Sequence, residues 1–395
     1  MNETSYLLFA QCSLGLESLL TAELTEGGFS SLRPLSGGVE LRANEESLWR
    51  VCLASRLAEG VRVRLKPFVA REFGSLKDRL KKLPLRAYLP AGSAVRLAVT
   101  CHKSKLWHSG AVAERVGQVL SEHAGFRVLS ADESAPAGAE SASFVHRLFV
   151  RIEQDQVQLS LDVGGERLHR RGYRAHVAPA SLRETLAAAL VRACAQQLAS
   201  SGRLAAASPR SAAPFIWDPF CGAGTIVLEA LQLAQGALPG GQRKFAFESF
   251  RGHDEQRFAA FRTQLGEQKL PVPAGLAGLR ALGSDASSRA IQAAEHNCRL
   301  ARASAATIWL SADIEAAVEK VPQGAWVVTN PPYGKRLEQQ EPLHKLRRVL
   351  ARRADLGPVM VLLGGEARQQ IPAAAPALFH SKNGGLSVSA RLLRP

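Results

Sequence analysis

Apolar residues along the chain follow two rhythms. Residues 6–12 form a short apolar run, and Leu16, Leu19, Leu20 and Leu24 then recur at helical spacing until Gly27-Gly28 stops them. Strand and helix patterns return over 37–42 and 45–57, so residues 1–60 are expected to form a small α+β, ferredoxin-like unit. Strand patterns at 94–100, 144–150 and 157–163, with a helical pattern at 110–120, predict a second α+β unit over residues 61–163. Its residues 131–143 are mostly Ala, Ser, Gly, Glu and Pro, the composition of a surface loop. Residues 164–180 read as a linker opened by Gly164-Gly165.

From residue 181 the pattern changes. A helix is predicted over 181–198, and an Ala/Ser-rich loop over 199–214. Apolar runs of strand length end at Trp217, Asp285, Leu310, Thr329 and Leu363, with helical stretches such as 287–300 between them. Strands alternating with helices predict a mostly parallel α/β sheet over residues 181–395, Rossmann-like in class. Residues 377–380 and 386–392 around Lys382-Asn383-Gly384-Gly385 predict an antiparallel hairpin at its edge.

Charge sharpens this picture. The formal charge is +15, and residues 61–110 carry 12 Lys or Arg against Glu72 and Asp78, so ten of the fifteen charges sit there. Such concentration predicts a polyanionic partner, RNA before a membrane, because no basic amphipathic anchor or lipidation signal accompanies it. Lys103 and Lys105, in Cys101-His102-Lys103-Ser104-Lys105-Leu106-Trp107-His108, are candidate RNA contacts. Arg170, Arg171 and Arg174 of the linker are expected to line a seam where RNA passes, with packing against the next domain as the alternative. Six scattered cysteines without a C-x-x-C pair suggest reduced thiols and a cytoplasmic protein, and Cys101, His102 and His108 match no standard metal frame. Met1-Asn2-Glu3-Thr4 lacks the basic start of a signal peptide, and no apolar run has membrane-spanning length.

Two stretches carry chemistry. In Trp217-Asp218-Pro219-Phe220-Cys221-Gly222-Ala223-Gly224-Thr225 a strand runs through a glycine turn into a helix, a device for holding a nucleotide-like ligand. Val227 stands where a dinucleotide fingerprint needs its third glycine, so a pyrophosphate is not the natural guest. The second stretch, Asn330-Pro331-Pro332-Tyr333-Gly334, follows another strand; its prolines remove two donors and leave an amide, carbonyls and a ring at the strand's C-terminal end. Asp285, 67 residues after Asp218, is a candidate acceptor for ribose hydroxyls or a helix cap. The residues 236–275 account for that long spacing as an insertion.

Together, Asp218-Pro-Phe-Cys-Gly-Ala-Gly-Thr and Asn330-Pro-Pro-Tyr resemble the S-adenosylmethionine-dependent methyltransferases of exocyclic amines. The resemblance is closest to the THUMP-domain RNA guanine-N2 methyltransferases, and extends to Arg243-Lys244-Phe245-Ala246-Phe247-Glu248 and Leu168-His169-Arg170-Arg171-Gly172-Tyr173-Arg174. It implies a THUMP domain over 61–163, a class I methyltransferase domain with a seven-stranded sheet over 181–395, and segment 179–186 closing over the cofactor's methionine end. It implies S-adenosylmethionine held by Asp218, Phe220, Gly222, Gly224, Thr225, Asp285, Ala286, Asp313 and Asn330, with Asp313 toward the adenine amine or acting only as a helix cap. It implies catalysis by Asn330 and Pro331 as acceptors of the amine N–H bonds and by Tyr333 stacking on the base. Lys382 departs from the family, which often places an aromatic residue before this Asn-Gly. The implied substrate is guanosine N2 in ribosomal or transfer RNA, without a metal, by a chain acting as a monomer. Adenine N6, another amine, or an inactive RNA-binding assembly factor remain the alternatives.

Overall fold

The computed structural model describes residues 5–130, 144–174, 182–200, 213–332, 341–365, 367 and 375–394. Tyr333, the 131–143 loop, residues 179–181 and most of the 199–214 stretch lie outside the described residues.

The N-terminal part contains β1 (Tyr6–Gln11), α1 (Glu17–Glu26), β2 (Arg33–Leu35), β3 (Gly38–Ala43), α2 (Glu45–Ala54), β4 (Gly60–Arg64) and β5 (Phe68–Val69). It continues through α3 (Phe73–Lys81), α4 (Leu85–Tyr88), β6 (Ala94–His102), α5 (Ser109–Glu122), β7 (Arg127–Leu129), β8 (His146–Glu153) and β9 (Gln156–Asp162). Asn44 starts α2 by accepting the Ser47 N–H at 2.9 Å, the side-chain cap that sets where the helix begins. All nine strands belong to one sheet in the order β2-β3-β1-β4-β9-β8-β6-β7, with β5 also on β9. The 60/61 boundary falls within β4, which pairs with β1 on one side (Leu8 opposite Val63) and with β9 on the other (Arg62 opposite Asp162). The two expected N-terminal units are thus joined by a continuous ladder.

The C-terminal part runs α6 (Glu184–Ser200), β10 (Phe215–Asp218), α7 (Thr225–Ala234), α8 (Glu255–Gln268), β11 (Arg280–Asp285), α9 (Ser288–Leu300) and β12 (Thr307–Ser311). It ends with α10 (Ile314–Ala317), β13 (Trp326–Thr329), α11 (Glu341–Arg352), β14 (Val359–Gly364), β15 (Ala377–Asn383) and β16 (Leu386–Arg394). The seven strands lie in the order β12-β11-β10-β13-β14-β16-β15, and only β16 runs against its neighbours. Strand alternation splits the core into two faces. Ile216, Val328, Met360 and Leu362 pack toward α6 and α7, whereas Trp217, Val327, Val361 and Leu363 pack toward α10 and α11. Both faces being covered is why these strands read as continuous apolar runs.

The insertion joins the two parts. Its α8 sets Phe258 and Phe261 against Trp49 of α2, at ring distances of 5.2 and 5.6 Å. Phe247 N–H donates to the Val163 carbonyl at 3.2 Å and Arg251 N–H to the Tyr88 carbonyl at 2.8 Å. Beneath them Glu229 of α7, fully buried, pairs with Arg56 at 3.1 Å and Arg171 at 3.4 Å, and accepts the Tyr173 hydroxyl at 2.9 Å. Burial first, and the Glu229 charge second, push the Tyr173 phenol far above its ordinary range, so it stays a donor.

Candidate active site

Strands leave β10 in opposite directions through the sheet, toward β11 and β12 on one side and β13 and β14 on the other. A crevice opens beyond the carboxyl ends of β10 and β13 at such a reversal. A cavity of about 640 Å³ lies there.

Asp218 ends β10 and is buried. Its Oδ1 accepts the Thr329 hydroxyl at 2.6 Å and the Phe220 N–H at 3.2 Å, tying the ends of two neighbouring strands together. Burial pushes the Asp218 carboxyl up to about 7, against the pull of those two donors and with a smaller push from the Asp285 charge. Gly222 and Gly224 then turn the chain with φ of +51° and +83°. Gly224 does not line the cavity. A Cβ there would lie 2.6 Å from the Trp309 ring, and one on Gly283 would lie 2.3 Å from it. Trp309 slides beneath the turn, and both glycines give it room. A glycine inside the strand Leu282-Gly283-Ser284 was the available signal for that close approach.

Asp285 ends β11, and its two oxygens accept the Gly222 N–H at 3.0 Å and the Ser287 N–H at 2.9 Å. It is not the helix cap, because Ser287 caps α9 by accepting the Ala290 N–H. Each carboxylate oxygen keeps a lone pair for a ligand hydroxyl. Asp313 does cap α10, through Glu315 and Ala316 N–H groups on Oδ1, while Lys345 donates to Oδ2 at 3.2 Å. Slight burial raises the Asp313 carboxyl, but the Ala316 N–H, Lys345 and the Glu315 N–H together hold it below the usual range. Lys345 and Glu341 of α11, missed from the sequence, complete this wall.

Asn330 lies just past β13 in the same wall, and its Oδ1 is buried with no hydrogen-bond partner among the described residues. Pro331 is buried and not part of the wall, whereas Pro332 is. Phe220, Thr225 and Ala286 line the cavity. The Cys221 thiol is driven far upward by burial and by the Asp218 and Asp285 charges, which suits a packing residue.

The linker arginines divide. Arg170 is exposed and pairs with Glu166. Arg171 cannot line an RNA seam, because it is buried against Glu229 and donates to the Arg56 and Leu168 carbonyls. Arg174 is also withdrawn from the surface and stands in the cavity wall. The packing alternative holds for both. Arg243 of the Phe245 motif donates to the carbonyls of Glu166, Arg167 and Arg170, so that motif clamps the linker. Lys103 and Lys105 are exposed, on a loop where Trp107 is 74% exposed. Asp155 braces that loop by accepting the Lys105 N–H at 2.8 Å. Among the described residues no group of three or more His, Cys, Asp or Glu is placed to hold a metal ion, and no helix is long and apolar enough to cross a membrane.

Two families of known domains match the chain: RMKL-like, methyltransferase domain, over residues 171–357, and RlmL ferredoxin-like domain, over residues 7–62. A ribosomal RNA large subunit methyltransferase K/L from Methylococcus capsulatus is 33% identical over 342 residues, covering 85% of this chain and 43% of that protein. The chain spans less than half the length of the curated relatives it matches. A predicted N6-adenine-specific DNA methylase from Listeria monocytogenes is 26% identical with a TM-score of 0.77, over 98% of this chain and 96% of that one. A putative methyltransferase complexed with SAH shares the fold at a TM-score of 0.77 and 22% identity, over 99% of this chain and 98% of that one. Residues 171–357 are thus similar to an RMKL-like methyltransferase domain, and an RlmL ferredoxin-like domain is matched ahead of them over residues 7–62.

Proposed function

We propose that the protein methylates the exocyclic N2 amine of a guanosine in large-subunit ribosomal RNA, with S-adenosylmethionine as donor. The observation that carries the reading is Asn330 Oδ1, a buried acceptor without a partner among the described residues, in the wall shared with Asp218, Gly222 and Asp285. Such an atom costs free energy unless a ligand N–H meets it. The ribosomal substrate follows the name of the Methylococcus relative, and the exposed Lys103 and Lys105 beside Trp107 offer phosphate and base contacts.

The residues fit the donor. Asp285 accepts the ribose hydroxyls with its remaining lone pairs, and Asp313, through Oδ2, serves the adenine amine. S-adenosylmethionine supplies an electrophilic methyl group on a sulfonium. Asn330 Oδ1 accepts an N–H of the target amine, which frees its lone pair from the ring and aims it, whereas the Pro331 carbonyl, buried outside the wall, is left without the acceptor role that the motif implied. The Asn330 dipole also stabilises the positive charge that develops on nitrogen. Stacking of the base on Tyr333 is inferred from its place in the motif. A protein acting on ribosomal RNA would work in the cytoplasm, a compartment in which its six free cysteines stay thiols.

Purified protein given methyl-labelled donor and large-subunit RNA is expected to yield labelled N2-methylguanosine on nucleoside digestion and mass spectrometry. Labelled N6-methyladenosine would keep the site and replace the substrate. No labelled nucleoside in any RNA would reject the function. Asp285→Ala is expected to weaken donor binding by about 10- to 100-fold through loss of hydrogen bonds to a charged acceptor. Equal affinity of mutant and parent in calorimetry would remove Asp285 from the ribose role.

A further inference from the structure

Arg174 closes the basic run of the linker, yet its side chain is only 9% exposed and forms part of the cavity wall. Its Nη1 donates to the Leu182 carbonyl at 3.0 Å and to Glu184 Oε1 at 3.3 Å. Nε and Nη2 are buried and donate to nothing among the described residues. These two nitrogens form the side-on edge of the guanidinium. One edge is therefore anchored to the start of α6, and the other is left with two parallel N–H groups and no acceptor.

A buried charged donor without a partner costs more than a neutral one, so the free edge calls for a ligand that brings oxygens. Two parallel N–H bonds match the two oxygens of a carboxylate bidentately, a fit an ammonium cannot reproduce. A phosphate has the same reach. The rest of the wall disfavours it, because Asp218, Asp285 and Asp313 line the same cavity and Lys345 is engaged by Asp313 and Glu341. A single negative charge suits that balance better than a dianion.

We propose that Arg174 clamps the carboxylate at the amino-acid end of S-adenosylmethionine through Nε and Nη2, with Glu184 holding the guanidinium in place. This rests on the donor proposed above. Glu184 is a positioning residue: buried beside Arg174, it fixes which edge of the guanidinium remains free. The clamp explains why an arginine of the linker turns inward although the neighbouring Arg170 stays at the surface. It also makes recognition of the donor depend on a group that the nucleoside lacks.

The test compares S-adenosylmethionine with decarboxylated S-adenosylmethionine, which differ only in that carboxylate, by calorimetry on the full chain. The parent is expected to bind the carboxylated ligand more tightly. Arg174→Ala should weaken that ligand by about 10- to 100-fold and leave the decarboxylated one unchanged, since bonds between charged groups are lost for the first alone. Retained binding of the decarboxylated ligand doubles as proof of folding. Arg174→Lys keeps the charge without the planar fork, and should recover only part of the loss. It stands in if the alanine variant does not fold. Equal weakening of both ligands, or of neither, would overturn the clamp. So would a parent that binds the two alike, although the donor reading would survive. A parent that binds neither ligand overturns both.

Discussion

Asn330→Ala is expected to lower methyl transfer by about 10² to 10³ while leaving donor binding and stability close to the parent, the size of effect typical for losing one positioned partner of a developing charge. The expectation comes from what the side chain does not touch. Its Oδ1 makes no hydrogen bond among the described residues, so removing it breaks none of them. The strand ends it stands beside are held separately, by the Thr329 hydroxyl on Asp218. Loss should fall on the step in which the amine acquires charge, and so on turnover more than on affinity. Single-turnover transfer of labelled methyl, with the donor saturating, reads that step alone. A parental rate would sink the acceptor role of Asn330, and a collapse of stability would show that its position is structural.

Glu229→Ala is expected to cost about 3–5 kcal/mol of stability, because it leaves buried charges without their counter-charge. Arg56 and Arg171 are both buried, and both meet Glu229. Arg56 comes from the segment between α2 and β4, Arg171 from the linker, and Glu229 from the helix that follows the glycine turn. The carboxylate thus pins three separate parts of the chain at one point. Glu229→Gln keeps the shape and still lacks the charge, so it should lie between parent and alanine variant. The measurement is the midpoint of urea unfolding, with the slope of the transition as a check that the same surface is exposed. An unchanged midpoint in Glu229→Ala would mean that the arginines find other acceptors. The Ala237 carbonyl, which Arg56 already meets at 2.6 Å, would be the first place to look.

The local elements of the site were legible from the chain alone. An apolar run, two glycines and a helical pattern place β10, its turn and α7 in succession, since each signal acts over a few residues. The same holds for β13 ahead of Asn330-Pro331-Pro332 and for the hairpin of β15 and β16 around Gly384-Gly385. Charge and spacing could not decide where each linker arginine points. Arg170 finds Glu166 four residues away and stays outside, whereas Arg171 finds Glu229, 58 residues on, and is buried with it. Nothing local separates those neighbours. The joining of two predicted N-terminal units through β4 was equally hidden, and Gly283 inside its strand signalled a close approach without showing that Trp309 makes it. Periodicity and turn chemistry are written in neighbouring residues. Partners of a buried charge, or of a glycine's empty side, are chosen only when distant segments meet, and that meeting is what the tertiary structure decided.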